Sequence, residues 1–97
     1  NEQAENSALD LYRKEINQLD DLLLALLGKR MKISDQIGVY KKQHKMTVLQ
    51  STRWNEVLNQ TLEKGKREGL DENFLKAYLD ALHLESIRRQ QDVATEI

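Results

Sequence analysis

Several cationic side chains and neutral donors fall on helical stripes that otherwise read as apolar. Arg30 follows Leu19, Leu23 and Leu26 at spacings of three and four, in the place of the next leucine. Lys41 lies 11 residues further on, three nearly whole turns, so the two share almost one face about 16 Å apart. Arg53 sits between Leu49 and Val57, four residues from each, and Ser86 and Gln90 are one turn apart on a stripe with Leu75, Leu79 and Leu82. Each group has a plain use alone. A heptad arginine can set register or pair with a carboxylate of a neighbouring helix, and a lysine near a helix end can snorkel to water. Together, without an equal set of inward carboxylates, they describe a positive cavity, and buried charge of that kind is costly unless a ligand neutralises it. The implied ligand is a compact dianion with further hydrogen-bond acceptors.

Other chemistries lack their residues. Cysteine is absent, which removes disulfides, thiolate metal sites and thiol nucleophiles together. The two histidines, His44 in a turn region and His83 read on an outer face, have no metal-ligand spacing. There is no glycine-rich phosphate loop and no serine on a nucleophile elbow, so neither metal nor cofactor is expected. Asp20 and Asp35 read as surface or interhelical ion pairs and not as an acid–base couple. Cations and amide donors can still hold a flexible substrate in its reactive conformer and stabilise developing negative charge. A pericyclic rearrangement asks for no more, since it needs neither an enzymatic nucleophile nor a proton transfer.

The elements that must position these groups are helices. With no proline and four glycines in 97 residues, helices can run long and glycines should mark most boundaries. Ser7 and Asp10 form a capping box, and Leu9, Tyr12, Ile16, Leu19, Leu23, Leu26, Arg30, Ile33, Ile37 and Tyr40 make one heptad seam. The seam predicts a helix over about residues 8–43, roughly 50 Å long, with residues 1–6 as a flexible tail. Thr47 and Gln50 read as a second box opening helix two, with Val48, Leu49, Val57, Leu58 and Leu62 inward and Trp54 as core. Asp71 caps helix three, whose inward stripe is Leu75, Leu79, Leu82, Ser86, Gln90 and Val93. The expectation is an all-α domain of three helices with a very long first one, spanning 1–97 without an internal boundary.

A seam of that length needs a partner helix. Arg13 is 17 residues from Arg30, about 25 Å along one helix, too far for both to grip one small molecule. In an antiparallel pair of such helices, Arg13 of one chain can approach Arg30 of the other, which points to an intertwined antiparallel homodimer with two shared sites. The net charge of −1, from 15 basic and 16 acidic residues, gives no reason to expect nucleic acid or a membrane surface as a partner. No apolar run approaches membrane-spanning length, and the expected location is the cytoplasm. The chain opens on Asn1, and the expectation is a domain excised from a longer polypeptide.

These residues resemble the all-helical, AroQ-type chorismate mutases. The likeness runs through "YRKEINQLDDLLLALLGKRMKISDQIGVYKK", the lone arginine of "VLQSTRW", and "LDENFLKAYLDALHLESIRRQQ". It implies an isomerase of the shikimate pathway, converting chorismate to prephenate by a Claisen rearrangement for phenylalanine and tyrosine biosynthesis. By position it implies that Arg13 from the other subunit, Arg30 and Arg53 hold the two carboxylates with Ser86 assisting, while Lys41 and Gln90 donate to the ether oxygen of the breaking bond. Arg30, Lys41 and Gln90 would be the catalytic set. The family's acidic residues near the substrate hydroxyl are replaced here by Gln50, whose amide can still bond the hydroxyl, and Trp54. Two alternatives stand beside this reading: an isochorismate-pyruvate lyase of the same fold, and a non-catalytic chorismate- or prephenate-binding regulatory and dimerisation domain. A fused or partner enzyme of the same pathway fits either.

Overall fold

Three helices carry the chain in the computed structural model: α1 (Glu2–Gln43), α2 (Ser51–Arg67) and α3 (Glu72–Thr95). The structure describes the backbone of residues 2–95 and the side chains of residues 6–95. The all-α expectation holds, with no strand among the described residues. Two compact units divide the chain, Asn1–Arg30 and Met31–Ile97.

The first unit is the N-terminal part of α1. The helix begins at Glu2, so Ser7 lies inside it and does not cap it, and residues 2–6, expected as a tail, carry helical backbone. Glu, Gln and Ala there are good helix formers, which favours extension past the serine. Leu9, Tyr12, Ile16, Leu19, Leu23 and Leu26 of the seam are all exposed.

The second unit holds the last turns of α1 with α2 and α3. Its inward face of α1 differs from the predicted one. Ile33, Ile37 and Tyr40 are exposed, and Met31, Ser34 and Gly38 are buried instead. The reason is close approach: a Cβ on Gly38 would lie 3.0 Å from the Gln90 Cα, so α3 meets α1 along the face with the smallest residues. α1 then stops in a two-bond C-terminal motif, in which Met46 N–H donates to the Lys41 carbonyl at 2.8 Å and Lys45 N–H to the Lys42 carbonyl at 3.3 Å. Lys45 takes the left-handed conformation at φ 53, a position glycine usually fills.

Helix α2 starts at Ser51, three residues later than the box at Thr47 predicts. Gln50 is the residue before the first turn, extended at φ −123 and ψ 108, and its side chain makes no capping bond. Its amide nitrogen instead donates to the Thr47 carbonyl at 3.3 Å. The Val48 carbonyl accepts from the Lys41 ammonium at 2.6 Å and from no backbone N–H among the described residues, so no helical turn opens there. Val48 and Leu49 therefore lie in the connection, half-buried and exposed respectively. At the far end Leu70 N–H donates to the Gly65 carbonyl at 3.0 Å, with Gly69 at φ 81. A Cβ on Gly65 would collide with the Leu75 side chain, so this glycine lets α2 close on α3. Asp71 caps α3 as expected, accepting from Phe74 N–H at 3.1 Å. The inward stripe of α3 is also as read: Leu75, Leu79, Leu82, Ser86 and Gln90 are buried and Val93 is half-buried.

Candidate active site

Along the second unit, Met31, Ser34, Gly38 and Lys41 recur on α1 at spacings of three, four and three, facing Ser86 and Gln90 of α3. The Lys41 ammonium donates to the Gln90 side-chain carbonyl at 2.9 Å and to the Val48 backbone carbonyl at 2.6 Å. Both acceptors are neutral, and burial lowers the Lys41 pKa from its ordinary value. The contact also orients Gln90: with its oxygen turned to the cation, the amide NH₂ remains as a donor. An ammonium has three N–H bonds, of which these contacts use two. Two donors thus stand side by side at the α1–α3 contact, which suits stabilisation of a developing oxyanion.

One turn toward the N-terminus of α3, the Ser34 hydroxyl donates to the Ser86 hydroxyl at 3.2 Å, both residues being buried. Ser86 also reaches the Met31 sulfur at 3.8 Å. Beside this row, Arg89 grips Asp35 with two bonds, Nε to Oδ1 at 2.8 Å and Nη2 to Oδ2 at 2.6 Å. The guanidinium holds the Asp35 carboxyl below the ordinary carboxylate range, against the opposing effect of burial. This is the interhelical ion pair read for Asp35. One further turn along, His83 packs on Trp54 of α2 with ring centroids 4.1 Å apart and planes at 42°. His83 is therefore half-buried against a second helix and not on an outer face, a correction to the sequence reading.

Within the second unit, Arg53 and Gln50 are not drawn into this row. Arg53 is 67% exposed and pairs with Glu56 at 3.4 Å on its own helix, an arrangement of little energetic weight. Gln50 is half-buried at the start of α2, turned to Thr47. In the first unit, Arg13 is exposed with Asp10 at 4.0 Å, and Arg30 is exposed. Asp20 is exposed. His44 is exposed as read, stacked on Tyr40 at 4.0 Å. Sequence reasoning missed Ser34, Gly38, the Val48 carbonyl and His83. Ser34 and Gly38 did leave a signal, two small residues in helical register with Lys41.

The family model for chorismate mutase type II matches residues 12–91. A 4-amino-4-deoxychorismate mutase of Streptomyces venezuelae is 30% identical over 84 residues, covering 87% of this chain and 82% of that protein. No solved structure gives a significant match. Among the described residues no helix is long and apolar enough to cross a membrane.

Proposed function

The chain belongs to the chorismate mutase type II family, and we propose that Lys41 and Gln90 donate to the ether oxygen of chorismate as its carbon–oxygen bond breaks. The protein is a chorismate mutase, an isomerase acting in aromatic biosynthesis. Its reaction forms one carbon–carbon bond and cleaves the ether within a single molecule, giving prephenate. No group of the protein need bond covalently to the substrate. Negative charge gathers on the ether oxygen as it leaves the ring, and donors aimed there lower the barrier more than they tighten ground-state binding. The observation that carries the assignment is the Lys41–Gln90 contact at 2.9 Å, which leaves a donor on each residue.

Arg30 and Arg53, with Arg13 from a second copy, hold the two carboxylates in this reading, and Ser86 assists. Gln50 meets the ring hydroxyl through its amide. The exposed Arg53 has only a weak surface partner to give up. The homodimer is supported by the apolar seam of the first unit, where Leu19, Leu23 and Leu26 are each more than half exposed. The same reading puts the protein in the cytoplasm, where it has no need of disulfides, and allows a fused or partner enzyme of the pathway.

A second substrate deserves a place in the test. The Streptomyces relative is named for a chorismate bearing an amino group in place of the ring hydroxyl, and the neutral Gln50 and Trp54 raise no charge requirement of their own at that position. Purified protein would be given chorismate, 4-amino-4-deoxychorismate and isochorismate separately, with products resolved chromatographically. Prephenate from chorismate is the expected result. Preferred turnover of the amino compound would move the protein to the second reading, and pyruvate with salicylate from isochorismate would make it a lyase.

A further inference from the structure

Lys41 anchors the connection between α1 and α2 twice. Its carbonyl accepts the Met46 N–H at 2.8 Å, closing the end of α1. Its ammonium, at the other end of the same side chain, donates to the Val48 carbonyl at 2.6 Å. Residues 41–48 therefore form a loop tied at both ends to one residue, and the left-handed Lys45 makes the reversal. The shortest bond of the ammonium goes to this loop and not to α3, where Gln90 accepts at 2.9 Å.

We propose that the Val48 carbonyl is a positioning group for catalysis: with Gln90 it fixes two of the three ammonium N–H directions of Lys41 and so aims the third. The inference rests on the reading that Lys41 donates to the ether oxygen. Three observations converge on it. An ammonium on four rotatable bonds has no preferred direction unless its donors are assigned. The groups touching this one are both neutral, Val48 from the connection and Gln90 from α3, so they orient the cation without cancelling its charge. Because α2 starts only at Ser51, the Val48 carbonyl lies in the connection and accepts no backbone N–H among the described residues, which leaves it to the ammonium. Preorganised donors act at the transition state because they need no reorientation as charge develops.

A backbone ester tests this directly. Incorporating the α-hydroxy analogue of leucine at position 49 turns the Val48 carbonyl into an ester carbonyl, a poorer acceptor. It deletes only the Leu49 N–H, which has no hydrogen-bond partner among the described residues. The expected result is a fall in kcat on chorismate of about fivefold, with KM changed less, since weakening one bond to a charged group is of that order. The alkaline limb of the kcat profile should also move to lower pH, because a weaker acceptor favours the neutral amine. A connection that merely held the chain together would lower Tm and leave that limb in place. If Lys41→Met abolishes turnover while the ester protein keeps the parent kcat and alkaline limb, the positioning role is overturned and the donor role of Lys41 survives. If Lys41→Met turns over normally, the donor role itself fails and the inference with it. Should the ester protein not fold, the parent decides: scalar coupling from the Lys41 ammonium nitrogen to the Val48 carbonyl carbon by NMR supports the bond, and an observable ammonium signal without it overturns the proposal.

Discussion

Leu23 of the first unit and Leu79 of the second are the same residue on stripes of the same spacing, yet one is 58% exposed and the other 2%. The contrast extends to their neighbours. The first unit's stripe is rich in leucine and exposed, while the second unit buries three leucines and a methionine beside two serines and a glutamine. The more apolar region is thus the one without a core of its own, and the region that packs spends interior positions on polar groups. This is the pattern expected when the strongest apolar stripe serves association and the weaker one shapes a site.

The sharpest way to break the comparison is to truncate both leucines. Leu79→Ala should destabilise the fold by about 2–5 kcal/mol at any protein concentration, because it opens a cavity inside one chain. Leu23→Ala should act only through association, so its effect on Tm should grow as the protein is diluted, and Leu23→Asp should yield monomers by sedimentation. A Leu23→Ala effect independent of concentration would mean that the first unit's stripe is not an intermolecular surface.

Next in size is the polar interior of the second unit. Gln90→Ala should lower kcat by about 10²–10³-fold, the range for a lost oxyanion donor. Its effect on stability should stay near 1–2 kcal/mol, roughly that of one buried hydrogen bond. A larger loss of stability than of turnover would recast Gln90 as core. The pairing of Asp35 with Arg89 offers a pure stability counterpart. The Asp35 carboxyl is held low in the folded protein, so its contribution is complete above the unfolded carboxylate pKa and is lost as pH falls through the lower folded value. Tm of the parent should therefore fall more steeply than that of Asp35→Asn on acidification below about pH 4, with kcat/KM near neutrality little affected.

The same contrast explains what was legible in the sequence. The α3 stripe and its Asp71 cap could be read residue by residue, because a core stripe and a side-chain cap are both local patterns. The inner face of α1 could not. Met31, Ser34, Gly38 and Lys41 lie one residue along from the run Ile33, Ile37 and Tyr40, about 100° around the helix, and hydrophobicity alone selects the latter. The start of α2 was missed for a different reason: Thr47 and Gln50, which read as a capping box, bond in another pattern, Gln50 Nε2 to the Thr47 carbonyl, and Val48 bonds a lysine seven residues earlier. Lys41, Ser86 and Gln90 were nonetheless identified, since a polar residue in helical register with leucines or with another cation is visible without the fold. His83 was not, because its partner Trp54 lies on another helix.

The smallest expected effect concerns Lys45, at the turn that ends α1. A side chain at φ 53 costs about 1–2 kcal/mol relative to the right-handed region, which glycine avoids. Glycine in turn enlarges the freedom of the unfolded chain, at roughly 0.4–1 kcal/mol. The difference favours Lys45→Gly by about 0.8 kcal/mol, a rise in Tm of about 3–6 °C for a domain of this size. Lys45 lies in the connection that carries the Val48 carbonyl, so the variant also asks whether the turn's conformation or its stiffness matters to Lys41. A higher Tm with unchanged kcat would mean that the left-handed geometry alone sets the loop. A higher Tm with a lower kcat would mean that the lysine backbone, less mobile than glycine, is part of how the second unit holds its ammonium, and that this region gives up stability where the first unit gives up a core.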